Sequence, residues 1–344
     1  MPVARHLTLE KACCIRQSTG SPFITSSMRT SSSSNLVALQ YGSLHAVVVP
    51  ALGGSLASFS SRNREDGLHR HWLRAAPNEG VGDHSPLEMA SFPLLPWANR
   101  IRGATFHFAD QAIHLKPRQL TGDHALHGLG WLHPWSVRSA SASHVSLRLR
   151  WRGTDEWPFE FTAQQTYSLD DTGLTIELAL TNQGAGPMPA DLGHHPYFPH
   201  DRSGRGTRIT AQVDGMWETD AELLPTVWNQ DHAAVQALQK EMDLRQFALD
   251  NNFTGFEGQA RVVWPDGSGL TMHSTAPLRY FVVYSPHHEN FFCMEPVSNC
   301  TDWLNYPGKG HRYHGADMGG HVLAAGQTLA GTIRFEIHAS LKVK

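Results

Sequence analysis

Four cysteines in 344 residues, two of them adjacent at Cys13 and Cys14, leave no disulfide framework, and no CxxC pair is present. A reducing interior, the cytoplasm, is therefore the expected compartment. Two Asn-x-Thr matches, at Asn252 and Asn299, carry no expectation of glycosylation without a secretory signal. No apolar run approaches the ~20 residues needed to cross a bilayer, so no membrane partner is expected. Charge of one sign is also lacking. The 28 Lys+Arg are offset by 31 Asp+Glu for a formal net charge of −3, which argues against a nucleic-acid surface. Absent too are a GxGxxG or phosphate loop, which removes a nucleotide cofactor, and a GxSxG elbow, which removes the usual serine nucleophile.

What is present is alternation. From Leu36 onward the dominant period is two, cleanest in Val145–Trp151 and Leu174–Leu180. Shorter strand candidates lie at 44–49, 160–167, 207–213, 260–264, 280–284, 290–294 and 331–337. Gly53-Gly54, Asp170–Gly173 and Pro265-Asp266-Gly267 supply turns between them. One helix is predicted, over 231–242, where Val235, Leu238 and Met242 have helical spacing. Hydrophobic content of 40% is ample for a core, and neither a repeat nor a linker divides residues 36–344. The expected fold is all-β, a single large antiparallel β-sandwich or barrel domain. Residues 1–35 differ: they are rich in Ser and Arg, with Glu10 the only acid, and cannot bury enough apolar surface to offset ordering. Such a segment fits a transit peptide, or a start placed upstream of Met28. A chain beginning at Leu36 is expected to keep the melting temperature and activity of the full chain; a drop of several degrees would show that the segment packs on the domain.

Histidine is the compositional outlier, with 22 copies. His69-Arg70-His71 with Glu79 faintly resembles a barrel metal site, but the spacing to the carboxylate is too long. His194-His195 and His287-His288 are adjacent pairs, which point to opposite faces of an extended chain and chelate poorly. No metal is expected. Two motifs place a titratable group beside proline: His195-Pro196-Tyr197-Phe198 and Met294-Glu295-Pro296-Val297-Ser298. Proline holds its neighbour extended, so His195 and Glu295 are expected at rigid strand ends, where an imidazole and a carboxylate form an acid/base couple. Each alone is also a common structural or solvated residue. Arg100 emerges from the proline-rich apolar run Phe92–Ile101, and its fork of donors suits hydroxyls or anions, or else a core carboxylate. His124–Gly128 with Trp131 and Trp135 suits a sugar site, since apolar sugar faces stack on rings, or else a surface hairpin. Asp250–Gly255 reads as a polar loop or turn.

Taken in order, these stretches resemble the aldose 1-epimerase (galactose mutarotase) family. The matches are FPLLPWANRIRG from Phe92, HALHGLGWLHPW from His124, HPYF from His195, LDNNFTG from Leu249 and MEPVS from Met294. The resemblance spans about 36–340 and is nearest the bacterial branch with Trp131-x-x-Pro134-Trp135. It implies a galactose-mutarotase-like supersandwich acting on a small-molecule sugar without cofactor, as a monomer or homodimer. His195 is then the general acid and Glu295 the general base, with Asn99, Arg100, His127, Tyr197 and Asp250 binding substrate. Where many members carry a Gln shortly before the base, this chain has Ser285-Pro286-His287-His288-Glu289, which leaves the preferred sugar open. With His and Glu near their ordinary pKa values of ~6.5 and ~4.3, the couple would stand in opposite charge states near neutrality. Two rivals share the fold: a hexose-6-phosphate 1-epimerase, which needs a further cationic pocket, and a non-catalytic carbohydrate-binding protein, which would have lost the acid or base.

Overall fold

The period-two stretches fold as antiparallel strands. The structure, a computed structural model, describes residues 36–338 except 64–66, 78–84, 307–311 and 314–315, and of residues 312, 313 and 316 it gives the backbone only. The expected extension at 1–35 lies outside the described residues, as does Glu79. Nine strands form one sheet, in the order Ser136–Ala140, His144–Arg152, Glu160–Leu169, Gly173–Asn182, Thr328–His338, Gly269–Ser274, Gln259–Val263, Arg208–Ala211 and Met242–Asp243. A second sheet runs Pro225–Asn229, Gly215–Thr219, Leu249–Thr254, Tyr280–Ser285, Phe291–Val297, Gly193–His194 and Pro93–Leu94. The short strand Tyr197–Pro199 also pairs with Phe291–Val297. A four-stranded sheet (Val37–Tyr41, Leu44–Val49, Ser55–Arg62, His69–His71) completes the larger elements. No described helix is long and apolar enough to cross a membrane.

The core lies between the two large sheets. Val145, Leu147, Phe161, Ile176, Leu178 and Phe335 come from the first, and Phe253, Phe281, Val283, Phe292 and Met294 from the second. Phe198 joins the layers, stacked on Phe292 at 5.2 Å and edge-on to Phe335 at 6.1 Å. Burial of this kind is the main favourable contribution to such a fold, roughly 1.5–3 kcal/mol for each large apolar side chain. His194 points into this layer, its Nε2 3.1 Å from Gln165 Oε1. Its neighbour His195 points the other way, as two adjacent residues of an extended chain must.

Three sequence expectations are corrected. The helix is shorter than 231–242, running Ala233–Lys240 with His232 as its cap, because Met242 has already entered the next strand. Leu249–Thr254 is a strand inside the second sheet, not a polar loop. Leu249 and Phe253 face the core while Asp250 and Asn252 face the other side, and those polar residues hid the alternation. Glu295 is fifth of the seven residues of Phe291–Val297, inside the strand and not at its end.

Candidate active site

The second sheet is apolar on both faces, and its outward face carries a separate cluster: Phe92, Ala98, Trp131, Tyr197, Val282 and Cys293, flanked by Tyr284 and Phe291. Strand register fixes the polar groups set into this floor. Asp250 stands opposite Tyr284, Tyr284 opposite Cys293, and Cys293 opposite Tyr197; one step along, Asn252 stands opposite Val282 and Val282 opposite Glu295. Residues two apart on one strand share a face, so Asp250 with Asn252 and Cys293 with Glu295 all rise from the same side.

His195 reaches Glu295 directly: Nε2 lies 3.3 Å from Oε1, with the residues only 6% and 2% exposed. The imidazole is held in an aromatic cluster. Tyr197 packs against it at 4.6 Å and Phe92 at 4.7 Å, and these two rings also lie 6.2 Å from each other; Trp131 stacks on Phe92 at 5.3 Å. The Arg74 guanidinium lies 3.7 Å over the Tyr197 ring and donates to the carbonyls of Leu87 and Met89. A cation over a ring contributes about 0.5–2 kcal/mol. The His195 amide donates to Phe92 O at 2.9 Å, and the Tyr197 amide to Ala90 O at 2.9 Å. Pinned by these rings and by its backbone, the imidazole points Nε2 at the carboxylate. The two strands are locked together just below. Ser298 Oγ donates to Asp191 Oδ1 at 3.1 Å and accepts from the Leu192 amide at 2.9 Å.

The expected opposite charge states near ordinary pKa values are not met. Burial, with the Arg74 charge behind it, pulls His195 down to about 3. Burial and the Asp250 charge push Glu295 well above the usual carboxylate range, while Arg100 works the other way. Desolvation thus favours the uncharged form of each partner. Neutral imidazole with carboxylic acid, and imidazolium with carboxylate, hold the same single proton, so the pair titrates as one unit. Oε2 of Glu295 and Nδ1 of His195 are buried without a hydrogen-bond partner from another residue.

The remaining sequence-derived residues gather around this pair. Arg100 Nη2 meets Asp250 Oδ2 at 3.3 Å, with the two side chains 15% and 20% exposed, at the rim. Asn99 Oδ1 accepts from the Arg100 amide at 2.8 Å and from Nη1 at 3.3 Å, so Asn99 holds the arginine. His127 stands edge-on to His195 at 5.2 Å. Its Nδ1 accepts from the Asn99 amide at 3.1 Å, which leaves the ring proton on Nε2. Burial, His195 and Arg100 hold it well below the ordinary value, so it is a neutral donor. Asn99 and His127 both have left-handed backbones (φ 62° and 59°), a strained arrangement held by the return bond from the His127 amide to Asn99 O at 3.0 Å. Tyr197 takes part through its ring.

Sequence reasoning missed Arg74, Tyr284 and Cys293. Cys293-x-Glu295 within a strand candidate carried a readable signal, because that spacing puts both side chains on one face. Nothing local marked Arg74, which reaches the site only through the fold. Of the faint histidine metal set, His69 and His71 lie exposed on the edge of the four-stranded sheet. Instead His195, Cys293 and Glu295 bring one ligating atom each within 4.8 Å of one another.

Residues 35–336 match the family model described as aldose 1-epimerase. The chain is 31% identical to the uncharacterized Escherichia coli protein YphB over 279 residues, 77% of this chain and 88% of that one. A crystal structure of an Escherichia coli K12 protein proposed to be an aldose 1-epimerase superposes with a TM-score of 0.74 at 28% identity, covering 88% of this chain and 99% of that one. A Caenorhabditis elegans GalM/aldose epimerase homologue gives 0.73 at 19% identity, covering 90% and 100%. With the family model spanning almost all the described residues, this chain belongs to the aldose 1-epimerase family.

Proposed function

We propose that the protein is an aldose 1-epimerase that interconverts the α- and β-anomers of a free aldose, with Glu295 and His195 as the proton-exchanging pair. The observation that carries this reading is their 3.3 Å contact. The ring oxygen and the anomeric hydroxyl share one carbon, so the groups serving them must be near neighbours. Acting from the imidazolium–carboxylate form of the one-proton pair, Glu295 takes the proton from the anomeric hydroxyl as the C1–O5 bond breaks and C1=O1 forms; His195 delivers its proton to O5. The aldehyde turns about C1–C2, and the two transfers run backwards on its other face. Each positioned acid or base supplies about 10²–10⁴-fold. The stacked rings offer a surface for an apolar sugar face, and the His127 Nε2 proton, Arg100 and Asp250 address hydroxyls.

The phosphate-bearing substrate loses ground, because both arginines of the FPLLPWANRIRG run are neutralised. Arg100 pairs with Asp250, and Arg102 Nε lies 3.3 Å from the buried Asp302 Oδ2. Polarimetry on freshly dissolved α-anomers, free and 6-phosphorylated, tests the reading; no acceleration of any free aldose would overturn it. Arg100→Ala and Asp250→Ala are each expected to raise KM more than they lower kcat, about 10-fold or more. An unchanged KM in both would remove them from substrate binding.

The proton count sets the pH profile. Below about 3 His195 takes a second proton, and above the raised Glu295 value the pair loses its only one. Activity needs the one-proton state, so kcat/KM of the free enzyme should fall on both sides of a plateau broader than ordinary groups allow. A narrow bell with limbs near ~4.3 and ~6.5 would overturn this account.

A further inference from the structure

We propose that His195 Nε2, the Cys293 thiol and the Glu295 carboxylate form a binding site for a thiophilic divalent cation, zinc above all, and that the bound ion switches the proton-exchanging pair off. Three observations converge on it. The ligand set is one nitrogen, one sulfur and one carboxylate, the donor chemistry that favours zinc over magnesium or calcium. The three atoms lie within 4.8 Å of one another, and all three residues are at least nine-tenths buried. Donor capacity is also unspent: Glu295 Oε2 has no hydrogen-bond partner, and Cys293 is a free thiol.

The scaffold favours capture. Cys293 and Glu295 rise from one face of the strand Phe291–Val297, whose neighbours on both sides hold its backbone, and His195 is packed against Tyr197 and Phe92. Zinc keeps its ligands about 2.0–2.3 Å away, so the Cys293 and Glu295 side chains would draw inward by about an ångström. Three protein ligands leave a fourth position open toward the rim where Arg100 and Asp250 stand. Binding releases two protons to solvent, that of the Cys293 thiol and the one shared by His195 and Glu295, and takes up the Nε2 lone pair and the carboxylate. Those are the atoms that must exchange protons with a sugar, so the ion excludes catalysis instead of assisting it. That inhibitory half rests on the proposed epimerase reading, whereas the binding half does not.

Two measurements on the full chain, stripped with chelator and dialysed, separate the halves. Zinc titrated calorimetrically, and cadmium followed by its thiolate charge-transfer absorption, read the site without reference to activity. Wild type should show a site that Cys293→Ser weakens at least ~100-fold, since losing a ligand costs no less than losing a second-shell partner. Cys13, Cys14 and Cys300 remain in that variant, so affinity and stoichiometry unchanged from wild type would overturn the proposal. Glu295→Gln, read by calorimetry alone, carries the same decision should Cys293→Ser not fold. In parallel, zinc should abolish anomer interconversion by wild type, reversibly with chelator, and Cys293→Ser should need at least tenfold more zinc. Binding at this site in a protein that accelerates no aldose sinks the epimerase reading and leaves the site standing. Interconversion indifferent to saturating zinc sinks the inhibition.

Discussion

Glu295→Gln is expected to lower kcat for anomer interconversion by at least ~10²-fold while the protein stays folded. Glutamine keeps the shape of the side chain and its place opposite Val282, and it removes the carboxylate proposed to take the anomeric proton. The buried carboxyl is a burden on the fold, since desolvation already pushes its pKa upward. The melting temperature should therefore hold or rise. That combination separates a catalytic loss from a structural one. His195→Asn should act in the same direction by a similar factor, less cleanly, because His127 stands 5.2 Å away with a proton on Nε2 that partly substitutes. A folded Glu295→Gln protein that interconverts anomers near the wild-type rate would remove Glu295 as the base.

The candidate site was legible where chemistry and chain order coincide. His195, Glu295, Arg100 and Asp250 each sit in a short motif, and the fold brings all four to one outward face of the second sheet. Strands such as Leu44–Val49 and Leu174–Leu180 were legible because one face is buried and the other is not. The Asp250 strand was not, since on it Asp250 and Asn252 occupy one face of the alternation and Asn251 breaks the apolar half. The charge state of the couple was illegible for another reason. It depends on desolvation by Phe92, Tyr197 and the strands beneath, which no local spacing encodes. Arg74 belongs with this group: its place over the Tyr197 ring is set by tertiary packing alone.

The largest structural effect is expected at Gly128, where backbone geometry and site geometry meet. Its φ is +72°, and an added Cβ would lie 2.1 Å from Leu95 O and 2.8 Å from Pro96 N, backbone atoms that cannot swing aside. Glycine is needed there twice over, for the left-handed conformation and for the close approach that makes the Leu95–Gly128 bridge. Gly128→Ala should cost about 3 kcal/mol, the sum of positive-φ strain and overpacking. In a domain this large that corresponds to a fall in Tm of roughly 5–10 °C. Gly103→Ala separates the two contributions. Gly103 has a similar φ of +57° with nothing within 4 Å of the added Cβ, so it should lose only about 1 kcal/mol. Activity should divide the pair as well. His127 immediately precedes Gly128, and its Nδ1 bond to the Asn99 amide depends on the path of the loop, so Gly128→Ala should raise KM. Equal Tm shifts for the two variants would mean that the loop yields to the added methyl, and that the crowding at Leu95 is not what holds His127 in the site.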